Sequence, residues 1–65
     1  MTNLQRIRKQ RGLTQAELSR RSRVGLKTIQ ALEIGQNNIN KANVMTCLKL
    51  ADALETTVRS ILEAE

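Results

Sequence analysis

The residues of this chain that could do chemistry are almost all cations, and they crowd into its first half. Arg6, Arg8, Lys9, Arg11, Arg20, Arg21, Arg23 and Lys27 stand against Glu17 alone in residues 1–27, a local charge of +7. Residues 28–65 carry Lys41, Lys49 and Arg59 against five carboxylates, for −2. Charge distributed in this way attracts a polyanion to one half of a molecule, and the alternative is a merely solvated basic surface. Little else is available. The chain has no histidine and no aromatic residue, and Cys47 is its only cysteine. It lacks a paired nucleophile and base, a glycine-rich phosphate loop and a metal-ligand set, so no enzyme, cofactor or metal is expected. Without aromatic platforms, single-stranded nucleic acid is a poor candidate partner. Cys47, on an apolar stripe with no second soft ligand in the chain, reads as buried and inert.

The elements that must position these charges are helices. Proline is absent and strong helix formers are abundant, which favours an all-α fold. Sixty-five residues make a single domain, residues 1–65, near the lower size limit for a chain without staples. There is no long apolar run and no signal-peptide pattern, and a lone thiol suits a reducing compartment, so a soluble protein of the cytoplasm or nucleoid is expected, with no membrane partner.

Asn3 is a candidate cap for a first helix over roughly 4–11, with Leu4 and Ile7 inward and Gly12 as its left-handed stop. "TQAE" at 14–17 is a capping box and opens a second helix over roughly 15–21, with Ala16 and Leu18 as inward candidates. "SRVG" is a short break. A third helix follows over roughly 26–33, with Ile29 and Leu32 inward and Gly35 ending it. "QNNINKA" is a polar loop in which Ile39 is either an inward anchor or a dimer contact. Asn43 caps a fourth helix over roughly 44–54. Its apolar stripe is Val44, Cys47, Leu48, Ala51 and Leu54, with Leu50 alongside. Thr57 caps a short fifth helix bearing Val58, Ile61 and Leu62. Two short helices joined by a tight turn, with Leu18, Val24, Ile29 and Leu32 inward, form a helix-turn-helix pattern. By 100° steps the outward face of the second of these holds Leu26, Lys27, Gln30 and Ala31.

At these residues the chain resembles the Cro and phage-repressor type of helix-turn-helix protein, the XRE family. The resemblance rests on "IRKQRGLTQAEL" (7–18), "VGLKTIQALEIG" (24–35) and "CLKLADAL" (47–54), and it covers nearly the whole chain. It implies a compact, lambda-repressor-like bundle of five helices and a regulator that binds double-stranded DNA. A homodimer on a palindromic operator follows from the half-site such a unit can read. The resemblance makes Leu26, Lys27, Gln30 and Ala31 base-reading residues of a recognition helix. It places Gln15 and Thr28 on phosphates, and the loop of Gln36, Asn37, Asn38 and Lys41 along the sugar-phosphate backbone. Arg23, in the turn, is a further candidate for phosphate attraction. Arg8 and Glu33 match a pair that forms an internal salt bridge between the first and third helices.

Some positions depart from the family pattern. Ser22 and Arg23 stand where leucine and glycine are usual in the turn, and a left-handed arginine there costs of order 1 kcal/mol. Gly25 replaces a serine or threonine cap. Glu55 replaces a glycine, and the loop before the fourth helix is longer than usual. Leu26, exposed on the recognition face, either packs against the turn or meets a thymine methyl. The fifth helix and the Ile39 loop are the candidate dimer surfaces. A protein-interaction module or an antitoxin-like partner-binding protein on the same fold is the alternative function.

Overall fold

In the computed structural model, which describes residues 2–63, the order of elements follows the capping residues. The first helix, α1 (Asn3–Gln10), is capped by Thr2, whose hydroxyl accepts from the Gln5 amide at 3.2 Å. Asn3 is therefore not the cap expected from sequence. Its side-chain Nδ2 donates to the Leu62 carbonyl at 2.8 Å, and its backbone N–H to the Glu63 carboxylate at 3.0 Å. A contact about sixty residues away in sequence outweighs the local one. Gly12 adopts φ 71° and turns the chain.

Helix α2 (Gln15–Ser22) opens on the full capping box. The Thr14 hydroxyl accepts from the Glu17 amide at 3.1 Å, and the Glu17 carboxylate accepts from the Thr14 amide at 3.0 Å. These reciprocal bonds satisfy two donors that a helix start would otherwise leave open. Leu18 is fully buried but Ala16 is exposed. Two residues along a helix turn through about 200°, so one face cannot hold both. The turn to α3 (Leu26–Glu33) passes through Arg23 at φ 63°, ψ 23°. Two serines hold this turn. Ser22 is buried and its hydroxyl accepts from the Val24 amide at 3.2 Å, while the Ser19 hydroxyl donates to the Val24 carbonyl at 2.7 Å. Val24 is thereby kept inside the hydrophobic core.

The long loop contains a 3-10 turn, Ile39–Lys41, that plants Ile39 in the core. Helix α4 (Val44–Ala53) begins where the Asn43 side chain accepts from the Met45 amide at 2.8 Å. Its C-terminal end is covered by Arg11, whose Nε donates to the Leu54 carbonyl at 2.8 Å. Glu55 then takes φ 55°, and Thr57 caps the short α5 (Val58–Ile61). All helices of the described residues enclose one core. Helix α2 rests on α3 and α4, α4 on α5, and α5 on α1. Leu4, Leu18, Ile29, Leu50, Leu54 and Ile61 are fully buried at its centre.

Two expectations from the sequence change here. The core takes Cys47, Leu50 and Ala51 from α4 and Leu54 from its C-cap, and leaves Val44 and Leu48 exposed. Apolar residues spread around more than half of the circumference of α4, and a helix can turn only one stripe inward. The candidate dimer surfaces are also used up. Ile39 and Ile61 lie in the core, and Val58 and Leu62 pack against it.

Candidate nucleic-acid interface

The site is best built outward from the ion pair beneath it. Arg8 of α1 and Glu33 of α3 are both buried and meet side-on. Nε donates to Oε2 at 2.7 Å and Nη2 to Oε1 at 3.0 Å. The remaining guanidinium nitrogen, Nη1, donates to the Leu13 carbonyl at 2.8 Å. Gln15, at the start of α2, completes the group, its Nε2 donating to Glu33 Oε1 at 3.0 Å. One carboxylate thus joins α1, α2 and α3. Among the described residues, no buried side-chain polar atom lacks a partner. A satisfied buried network of this kind fixes geometry more than it adds stability, because desolvation offsets much of the attraction.

What it fixes is the pose of α3. With Ile29, Leu32 and Glu33 held inward, the opposite face projects to solvent. Leu26, 39% exposed, lies there with Lys27, Thr28 and Gln30, and Ala31 is half-buried at its edge. Gly25 precedes the helix without a side-chain cap, so the first amides of α3 are not covered by their own N-cap residue. Arg23 is exposed in the turn just before.

Beside this face lies an open cleft of about 440 Å³ between the end of α3, the long loop and the first turn of α4. Thr28, Gln36, Asn37, Asn38 and Lys41 line it together with Asn43 and Thr46, over a floor of Leu32 and Ala42. The lining is rich in hydrogen-bond donors, has one cation and contains no carboxylate, as suits an anionic backbone. Five of the seven residues expected on phosphates are thus brought together. Gln15 and Arg23 lie outside the cleft, and Gln15 spends one N–H inward on Glu33. The same nitrogen carries a second N–H for an outward acceptor. Asn43 and Thr46 were not anticipated, because only the packing of α4 against the loop brings them to the cleft. Asn40 turns away from it and clamps the last described residue. Its Nδ2 donates to the Glu63 carbonyl at 2.8 Å, and its Oδ1 accepts from the Glu63 amide at 2.9 Å.

The Glu17 carboxyl is held below its ordinary value by its bonds to the backbone and side chain of Thr14, with Arg20 and Arg21 assisting. Burial pushes the Cys47 thiol up. No group of potential metal ligands occurs among the described residues, and no described helix is long and apolar enough to cross a membrane.

In comparison with known proteins, residues 4–61 match the family model described as helix-turn-helix. No curated protein and no solved structure matches the chain.

Proposed function

Since the chain belongs to the helix-turn-helix family of the Cro and phage-repressor (XRE) type, a DNA-binding and not a catalytic family, we propose that it is a transcription regulator that reads a specific double-stranded sequence. Helix α3 enters the major groove with Leu26, Lys27, Gln30 and Ala31 toward base edges. Lysine donates to guanine N7 and O6, glutamine pairs with adenine, and leucine and alanine suit a thymine methyl. Gln15, Arg23, Thr28, Gln36, Asn37, Asn38 and Lys41 approach phosphates. Such contacts set affinity and register without reading sequence. One such unit covers a single half-site, so the protein acts as a homodimer on an inverted repeat with half-sites roughly 34 Å apart. The observation that carries this reading is the adjacency of an outward α3 face, braced from below by the Arg8–Glu33 pair, to a donor-lined cleft free of carboxylates.

Selection of bound duplexes from a randomised pool tests it, followed by titrations at several salt concentrations. An inverted repeat should be enriched. Lys27→Ala should lose roughly 1–3 kcal/mol on that site only and flatten preference at one base pair per half-site. Lys41→Ala should weaken selected and scrambled duplexes alike and lower the salt slope by about one unit. A pool that enriches nothing, or identical profiles for the two variants, removes α3 as the reading element.

A further inference from the structure

We propose that the outward face of α4 is the surface on which a second copy of this chain docks, helix against antiparallel helix about a two-fold axis. This deepens the proposed function, since it rests on a protein that reads an inverted repeat as a dimer. Val44, Met45 and Leu48 are 71%, 58% and 41% exposed. At about 100° per residue they share an arc of roughly 100°. Contiguous exposed apolar side chains of this kind mark interaction surfaces, whereas scattered ones do not.

The charge around this face points to a second copy as its occupant. Lys41 is exposed just before the first turn of α4, and Asp52 and Glu55 are exposed at its end. Antiparallel docking sets base toward acid at both ends at once and opposes the two helix dipoles favourably. Parallel docking would set like against like. An isologous contact also sets Leu48 of the two copies against each other at the axis, with Val44 and Met45 flanking it on either side. Asn43 and Thr46, which line the proposed DNA cleft, lie roughly 180° around α4 from this patch. A second copy docked on the patch therefore leaves both clefts open.

Size sets the strength. The described chain exposes 4337 Å², and a patch on the order of a tenth of that is smaller than the roughly 800 Å² per partner of a standard interface. The free dimer is consequently weak, in the sub-millimolar range, and is completed on DNA by two half-sites held on one duplex.

Sedimentation of the free protein up to ~1 mM tests the surface without DNA. The wild type should associate to a dimer, and Met45→Glu and Leu48→Glu should each weaken association by roughly tenfold or more, with melting temperatures showing that both stay folded. Leu48→Cys should close a disulfide dimer under mild oxidation, because a two-fold axis brings the two positions together. Arg59→Cys on α5 is the control and should not, and native Cys47 is buried. A wild type monomeric at ~1 mM, a dimer indifferent to both glutamate variants, or equal cross-linking at positions 48 and 59 would each overturn the proposal. Binding to random-sequence duplex at low salt is measured in parallel. Absence of DNA binding with the dimer intact refutes the DNA-reading role and leaves this surface standing, whereas DNA binding by a strict monomer overturns this surface, and the dimeric mode with it, and leaves the DNA-binding role standing.

Discussion

Cutting the ion pair beneath α3 should be the most damaging small change to this protein. In Arg8→Ala, Glu33 Oε2 loses its donor, Oε1 keeps only Gln15, and the Leu13 carbonyl loses Nη1. The Glu33 side chain has no solvent exposure to fall back on. An unpaired charge in that position costs roughly 3–5 kcal/mol. A domain of this length has a total stability of only about 3–10 kcal/mol, so Arg8→Ala and Glu33→Ala should both sit at the edge of unfolding. The melting temperature should fall by roughly 12–40 °C. The double variant Arg8→Met/Glu33→Leu removes both charges and keeps the volume. It leaves the Leu13 carbonyl without its donor, and the Gln15 amide can turn to water, so its loss should be only about 1–3 kcal/mol. Urea titration followed by circular dichroism of Arg8→Met, Glu33→Leu and their combination gives the double-mutant cycle, in which the double variant should lose at least roughly 3 kcal/mol less than the sum of the two singles. The single-variant losses should persist in high salt, since a buried pair is little screened. Single variants within about 1 kcal/mol of wild type, or strictly additive effects, would refute the reasoning.

Other variants probe the turn, the cap and the core. Arg23→Gly should raise stability by about 1 kcal/mol in the same titration, by releasing a left-handed non-glycine residue. It should also weaken DNA binding and lower the salt slope by about one unit, so stability and affinity move in opposite directions. Glu17 has a folded-state pKa below its unfolded one, so its contribution is complete above the unfolded value and fades as pH falls through the folded one. The margin of wild type over Glu17→Gln in thermal melts should therefore be present at neutral pH and vanish in acid. Cys47 is 4% exposed, its Sγ donates to the Ile39 carbonyl at 3.7 Å, and burial raises its pKa. A thiol reagent should react with it only as fast as the protein opens, and promptly in denaturant.

The helices were legible in the sequence wherever their ends are governed by local chemistry. The capping box at Thr14, the left-handed Gly12, Asn43 before α4 and Thr57 before α5 each act through bonds spanning a few residues. The outward face of α3 was legible for the same reason, since periodicity alone sorts Lys27 and Gln30 from Ile29 and Leu32. What the sequence hid depends on tertiary contacts. Thr2 and Asn3 are adjacent and equally able to cap, and only the distant Leu62 carbonyl decides between them. Ser22 looks like a surface residue until the turn folds back and its hydroxyl meets the Val24 amide. The seven apolar positions of α4 look alike in one dimension, and the width of the core sets which face inward. Gln15 lies at the start of α2 as expected, yet its amide bonds to Glu33, and that bond exists only once α1 and α3 have come together.

The clamp of Asn3 and Asn40 on residues 62 and 63 has a topological consequence. It brings both ends of the fold within hydrogen-bond reach of each other. The described chain is thus nearly a closed ring. A short linker from residue 63 to residue 2 would complete that ring, and new ends could open in an exposed stretch such as 36–38 without disturbing a core contact. A ring so closed can also be set into a surface loop of another protein as a unit, leaving and re-entering its host at almost one point.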